Sequence, residues 1–394
     1  GASRRFRLGR SLAAAQIGVS FILVLAAGLF VGTLRNLMNT DLGFKADGVM
    51  LVNVDARRAA KNGNERVTLH RDVLHRLRKL PGVASVSASG LVPLGRNTWN
   101  EWIASDGYGG APGPDALLYM NAVSPGYFQT MGTRFIAGRD LNEFDGATST
   151  PVMILNESAA RRFFGATTAI GRTVRIGNAA NGVRFQVIGV VQDAKYERVQ
   201  EKAPIAGFLP LQVVPAPTYT YELRHTGPAS VLTPVVRSTI AAVSRDIGIE
   251  FQSLSTHVDA SVQQQRVLAA LSVLFGGLAL LLSMVGLYGV TAYSVAQRRA
   301  EIGLRMALGA RTNSVLWLVL REAAVLLGSG IALGLAGALA LGRLLATLLY
   351  ELKPNDPAQI LVAAAMLAGA TALAAFLPAW SAARLDPMRA LRDS

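Results

Sequence analysis

The chain contains no cysteine. Disulfides, thiolate nucleophiles, iron–sulfur clusters and cysteine-rich zinc sites are therefore excluded, and any domain outside the cytosol must stand on its core alone. Charge is scarce as well: 16% of residues are charged against 51% hydrophobic, and mean hydropathy is +0.34. Such a chain is too apolar for an average soluble protein and implies membrane segments. No G-x-x-x-x-G-K-[S/T] phosphate loop occurs, so the chain does not hold ATP in the usual way and cannot power work by itself. It also lacks a G-x-S-x-G nucleophile elbow, and Glu157, Asp193 and Glu197 are scattered acids without a partner pattern. The four histidines, His70, His75, His225 and His257, lack zinc-site spacing, and solvated or capping roles are expected for all of them. An envelope enzyme is the least motivated function class.

What the chain does have is four long apolar runs, at residues 11–34, 267–295, 323–342 and 360–383. Each approaches or exceeds the roughly 20 helical residues needed to cross a bilayer. The third, at ~1.5 Å per residue, is ~30 Å long, with Arg321 and Arg343 expected to snorkel outward at its ends. No Asp, Glu or His falls near the centre of a run, which argues against an ion-coupled carrier. The first run follows Arg4, Arg5, Arg7 and Arg10, as a secretory leader would. It is too long for a leader's apolar core and is expected to be a retained anchor. Gly28 with Gly32, and Gly330 with Gly334, have the G-x-x-x-G spacing that suits packed membrane helices.

Basic residues precede the first run, follow the second (Arg298, Arg299, Arg305, Arg311) and follow the fourth (Arg384, Arg389, Arg392). The connection at residues 350–356 carries Glu351 and Asp356 against Lys353 alone. The positive-inside rule then places both termini and the loop after the second run in the cytosol, and the large segment between the first two runs outside. Much of the net charge of +14 is thus topological, and no basic patch with stacking aromatics favours nucleic acid as a partner.

The outer segment predicts strand 49–54, helix 65–80 and strand 83–88, and later strand 219–224, helix 229–246 and strand 249–254. Two β-α-β units around an insertion predict a split ferredoxin-like α+β arrangement. Within the insertion, strands are expected at 152–155, 173–176 and 185–191, with a helix at 157–164. The fold class is a four-helix transmembrane bundle plus a large α+β extracytoplasmic domain, a porter-like subdomain with an inserted second one. The expected order begins with a cytosolic basic segment (1–10), the first span and its stalk (11–38) and the outer domain (39–260). The porter-like part covers about 45–105 and 212–256, and the inserted subdomain about 115–211. A stalk and second span (261–295), a cytosolic loop (296–314), the third span (315–349), an external loop (350–358), the fourth span (359–383) and a cytosolic tail (384–394) complete it. Residues 261–268 are expected to run straight into the second span. The chain starts at Gly1 rather than Met, which reads as a piece of something longer.

Residues 297–311 read Gln-Arg-Arg-Ala-Glu-Ile-Gly-Leu-Arg-Met-Ala-Leu-Gly-Ala-Arg. On a helix, Arg298, Glu301 and Arg305 share one narrow stripe while Ile302, Leu304, Met306, Ala307 and Leu308 occupy much of the rest. Glu301 precedes Arg305 by one turn, the favourable order for an ion pair. A short helix of this kind needs a cover for its apolar face. It either lies in the headgroup layer or docks on another protein.

This stretch, with Val285 to Val290, Tyr293 to Arg299, Leu377-Pro378-Ala379 and Ala382 to Arg392, resembles a MacB/FtsX-type permease of an ABC transporter. Val123 to Phe128, Ala137 to Asp140, Asn156 to Phe164 and Val187 to Val191 are similar to that family's periplasmic core domain. Among its members the chain is most similar to the second half of duplicated orphan permeases. The resemblance implies an inner-membrane, multi-pass permease half that pairs with a second half and needs a separate nucleotide-binding ATPase. ATP would be bound on that subunit, and the chain itself would carry no cofactor. It also implies that residues 297–311 are a coupling helix, with Arg298, Arg299, Glu301, Ile302, Arg305, Met306, Leu308 and Arg311 at the ATPase contact. ATP-driven closure would then move the outer domain to export or extract an envelope substrate. The alternative is a membrane-anchored scaffold or sensor that has lost ATP coupling.

Overall fold

The computed structural model describes residues 2–95, 97–105, 117–146, 150–165, 169–177, 182–298, 312–346 and 357–383. They fall into two units: an α+β unit, Thr40–Gln263, and a helical unit made of Gly1–Asn39 and Gln264–Ser394. In chain order, α1 (Ala2–Asn39) precedes β1 (Val49–Asp55), α2 (Gly63–Leu77), β2 (Val83–Ser89), β3 (Asn100–Ser105), β4 (Leu117–Val123), α3 (Tyr127–Met131) and β5 (Phe135–Gly138). Next come β6 (Val152–Asn156), α4 (Glu157–Phe164), β7 (Thr173–Ile176), β8 (Val183–Val191) and β9 (Ala206–Pro210). The unit ends with β10 (Thr218–His225), α5 (Ala229–Ala241), β11 (Gly248–Ser253) and α6 (Leu254–Ser261). The remaining helices are α7 (Gln263–Gln297), α8 (Thr312–Ala346) and α9 (Pro357–Ala383).

Four strands pair in the order β11-β1-β10-β2, each antiparallel to its neighbours. One face of this sheet presents Val52, Val54, Val86, Tyr221 and Leu223 to the apolar stripes of α2 (Val73, Leu74, Leu77) and α5 (Leu232, Val236, Ile240). Helix α2 starts two residues earlier than its apolar periodicity suggests. The Asn62 side chain accepts from the Glu65 amide at 2.9 Å, and Glu65 Oε2 accepts from the Lys61 amide at 2.7 Å, which completes the first turn.

The other strands close on themselves. β4, β3, β7, β8, β6 and β9 are neighbours in that order, and β9 returns to pair with β4 in parallel. Leu118, Met120, Met153, Leu155, Phe185 and Val187 form one core with Ala159, Ala160 and Phe163 of α4. Gly207 on β9 leaves room for Leu118 and Met153, either of which an added Cβ would meet at 2.7 Å. Among the described residues, β2 and β4 join this ring to the four-stranded sheet through the pair Ser89 with Val123 and the flanking bonds from the Gly90 amide to the Ala122 carbonyl and from the Ser124 amide to the Ala88 carbonyl. The sequence reading left residues 100–105 with the porter-like part; as β3 they pair with β4 and β7 and belong to the ring. Residues 261–268 are not one continuous run either, because α6 stops at Ser261 and α7 begins at Gln263.

Among the described residues of the helical unit, four helices are long and apolar enough to cross a membrane: Gly9–Asn39, Gln263–Gln297, Leu316–Ala340 and Pro357–Trp380. Ile17, Phe21, Val24, Leu25 and Leu29 of α1 meet Leu287 of α7, Leu326 of α8 and Leu367 of α9. Half of the apolar window of α1 is buried against 17% for α7, so α1 is the helix that the others cover.

Candidate functional site

The residues expected to meet an ATPase begin where α7 ends. Arg298 is described; Arg299, Glu301, Ile302, Arg305, Met306, Leu308 and Arg311 lie outside the described residues. The Arg298 amide donates to the Val295 and Ser294 carbonyls at 3.2 and 3.3 Å, which closes the last turn. Its side chain turns to α8, where Nη1 donates to Glu322 Oε1 at 2.7 Å. Ser294, one turn earlier on α7, donates through Oγ to Glu322 Oε2 at 3.2 Å. Arg10, Thr291, Ser294, Arg298 and Glu322 contribute the polar lining of a cleft at this end of the helices.

The uncharged run begins only after Glu322, while the expected third span, 315–349, contains it. The helix carries apolar residues from Leu316 onward, so Glu322 sits inside the candidate span Leu316–Ala340, about 9 Å from its start at 1.5 Å per residue. The uncharged window broke at Arg321-Glu322 because a sequence does not show that the carboxylate meets a guanidinium contributed by another helix. Arg321 itself is exposed.

Farther along the bundle, small residues govern contact. A Cβ on Gly330 would strike the Ile17 side chain, and one on Gly334 would lie 2.7 Å from the Gly18 carbonyl oxygen and 2.9 Å from Phe21. Gly28 faces the Gln359 side chain on α9, and Gly32 is half-buried. Ser20 Oγ donates to the Ala279 carbonyl of α7 at 2.9 Å, so one polar link is satisfied inside the bundle.

The α+β unit holds a polar cluster that sequence reasoning missed. Glu222, on the face of β10 opposite Tyr221 and Leu223, is buried; Oε2 accepts from Ser87 Oγ at 2.7 Å and Oε1 from Ser89 Oγ at 2.5 Å. Burial pushes its carboxyl up to about 7 although both hydroxyls favour the charged form. The available signal was an acid at an alternate position of an otherwise buried strand. His70 is a second correction: it is a core residue of α2, not a solvated or capping one. Its Nδ1 lies 2.7 Å from the Tyr221 hydroxyl and its ring meets Tyr219 edge-on, and burial pulls the imidazole down to about 4. Asp193, a scattered acid in the sequence, caps α4: Oδ1 accepts from the Ser158 amide at 2.9 Å and Oδ2 from Ser158 Oγ at 2.6 Å. Glu157 pairs with Arg161 one turn on. Among the described residues no group of three or more His, Asp or Glu side chains gathers as metal ligands would.

Comparison with known proteins places this arrangement among relatives. The family described as the MacB-like periplasmic core domain matches residues 11–265, and the one described as the FtsX-like permease C-terminal matches residues 273–387. The macrolide export ATP-binding/permease protein MacB of Burkholderia cenocepacia is 27% identical over 293 residues, covering 70% of this chain and 41% of that protein. The MacB 1/2 protein of Paracoccus denitrificans is 28% identical over 301 residues, covering 71% and 42%. The chain thus spans about two fifths of the length of the curated relatives it matches. The crystal structure of the periplasmic region of MacB from Actinobacillus actinomycetemcomitans overlaps 56% of this chain and 95% of its own, with 17% identity and a TM-score of 0.38.

Proposed function

The chain belongs to the MacB-like, FtsX-like permease family of ABC transporters, and from that premise we propose that it is a permease half that turns ATP hydrolysis on a separate nucleotide-binding subunit into movement of its α+β unit. Both termini and residues 297–311 lie on the cytosolic side of the inner membrane, and the α+β unit lies outside. The movement exports or extracts an envelope substrate and requires a second permease half. The observation that carries this reading is that a MacB-like periplasmic core match over residues 11–265, taking in α1 and the α+β unit, is followed by an FtsX-like permease match over residues 273–387 that takes in the basic stretch after α7.

The strand order β11-β1-β10-β2, with α2 and α5 as its two crossovers, supports a split ferredoxin-like porter subdomain. The close approach of Gly330 and Gly334 to α1 supports helix packing as their role, with Gly28 and Gly32 acting likewise. On this reading Ile302 and Met306 present the apolar face that the ATPase covers, and Arg299, Glu301, Arg305, Leu308 and Arg311 flank it. Replacing Ile302 or Met306 with Asp is expected to reduce nucleotide-binding subunit capture and permease-stimulated ATPase activity at least tenfold, since it buries a charge at the contact. Unchanged capture and stimulation, with the variant still monodisperse in detergent, would leave the scaffold or sensor alternative as the better reading.

A further inference from the structure

The end of α7 is held by α8 rather than left to the segment that follows. Glu322 uses both carboxylate oxygens on Ser294, in the last turn of α7, and Arg298, the residue that follows the helix. A lone surface ion pair is worth little, because water and side-chain entropy offset its attraction. This pair differs in setting: the Glu322 side chain is 27% exposed and that of Arg298 37%, and Glu322 lies within the candidate span, where an unpaired carboxylate is costly. Around it are Val290, Val295, Val319 and Leu326, which keep the surroundings apolar, with Arg10 of α1 as a further guanidinium on the same cleft. Arg298 is also the first Arg of the proposed coupling stretch, so whatever fixes Arg298 fixes the point from which that stretch departs.

We propose that Glu322 is a positioning residue for energy coupling: it clasps Arg298 to α8 and so sets the direction in which residues 299–311 leave the end of α7. The inference rests on the coupling role proposed above, but its geometric half can be tested without an ATPase. The absence of cysteine allows single labels to be placed at will. In the full chain in nanodiscs, nitroxides at Met306→Cys and Val325→Cys would report the separation between that stretch and the exposed side of α8 by pulsed electron paramagnetic resonance. Glu322→Gln is expected to widen the distance distribution roughly twofold, because an amide no longer neutralises Arg298. The reversed pair, Arg298→Glu with Glu322→Arg, is expected to return the width to that of the parent. A purely structural role for Glu322 would not give rescue by reversal with an unchanged melting temperature. An unchanged width in Glu322→Gln, or a widening that the reversed pair fails to narrow, would overturn the clasp. With a nucleotide-binding subunit present, Glu322→Gln should then lower stimulated ATPase activity several-fold and the reversed pair should restore it; a widened distribution without that loss would overturn the coupling half of the proposal. Normal stimulation in Ile302→Asp counts against the coupling stretch itself and leaves the distance result standing, so the two failures are distinct.

Discussion

In the α+β unit many large side chains are hidden in the core: Tyr119, Tyr221, Phe128 and Phe208 are fully buried. In the helical unit large side chains face outward, with Leu274, Phe275, Leu281, Leu282 and Val285 of α7 about half exposed or more, while glycines occupy the closest contacts. The difference follows from the solvent each unit is built for. In water, hiding apolar area drives folding, so the core is filled with large residues. In lipid that drive between helices vanishes, and backbones gain by approaching closely, which small residues permit. Loss of volume should therefore damage the first unit and gain of volume the second.

The largest test of this contrast is Phe128→Ala. Phe128 meets Phe135 and Phe208 edge-on at 5.3 and 5.0 Å, and truncation leaves a cavity between them. A loss of ~3–5 kcal/mol is expected for the α+β unit, against little change for Phe275→Ala on the 53% exposed face of α7. With Trp317 and Trp380 changed to Phe, the remaining tryptophans, Trp99 and Trp102, report unfolding of the α+β unit alone. Equal losses in the two variants would break the comparison.

Next in size are two ionisations found only in the α+β unit. Glu222 has its folded value raised from 4.5 to about 7, so its contribution to stability is full below 4.5 and is lost as pH rises through 7. His70 has its folded value lowered from 6.5 to about 4, so its contribution is present above 6.5 and is lost as pH falls through 4. Each amounts to ~1.4 kcal/mol per pH unit inside its window. Between 4.5 and 6.5 the slopes oppose and nearly cancel. Glu222→Gln should expose the His70 slope, with stability rising from pH 4 to 6.5, and His70→Gln the opposite slope, falling from pH 4.5 to 7. Urea midpoints across pH check both signs; a flat profile in either variant would show that its partner ionisation is not the one buried.

Gly330→Leu reverses the first test, adding volume where α1 and α8 touch. The side chain must displace Ile17 or push against the Ala14 carbonyl oxygen, which lies 3.0 Å from the added Cβ. A cost of ~1–3 kcal/mol to the helical unit is expected, partly restored by Ile17→Ala. The readout is thermal loss of monodispersity in detergent, and a variant as stable as the parent would remove the small-residue contact from the comparison.

The two units also differed in how much the sequence disclosed. Strands β10 and β11 were legible because apolar residues alternate along them, β1 because its apolar run precedes a clear helix and the Pro81-Gly82 break before β2, and α4 between Asn156 and Gly165, which cap it. β4 and β9 were not, since nearly every residue of Leu117–Val123 and Ala206–Pro210 is buried and no period-two signal survives. The four spans were plain from hydropathy. The Arg298–Glu322 clasp was not, because it depends on where two helices meet, and Glu322 read alone only interrupts an uncharged run. Glu222 was hidden for the same reason: Ser87 and Ser89 are distant in sequence and adjacent only through pairing of β2 with β10.

The smallest effect sets the baseline for charge pairs. Arg78, at the end of α2, donates to Glu143 Oε1 at 3.2 Å and to the Pro125 carbonyl at 3.1 Å. Its side chain is 33% exposed and that of Glu143 66%, so water screens the pair, and Glu143→Gln is expected to cost under ~1 kcal/mol. Added salt should shrink the cost further. A double-mutant cycle with Arg78→Gln isolates the pair from the Pro125 contact, which Arg78→Gln also removes. The same cycle on Arg298 and Glu322 should give a larger coupling that salt reduces less, because that pair is more covered and sits among apolar side chains. Equal couplings with equal salt dependence would mean that Glu322 faces water much as Glu143 does, and the apolar setting on which the clasp depends would be lost.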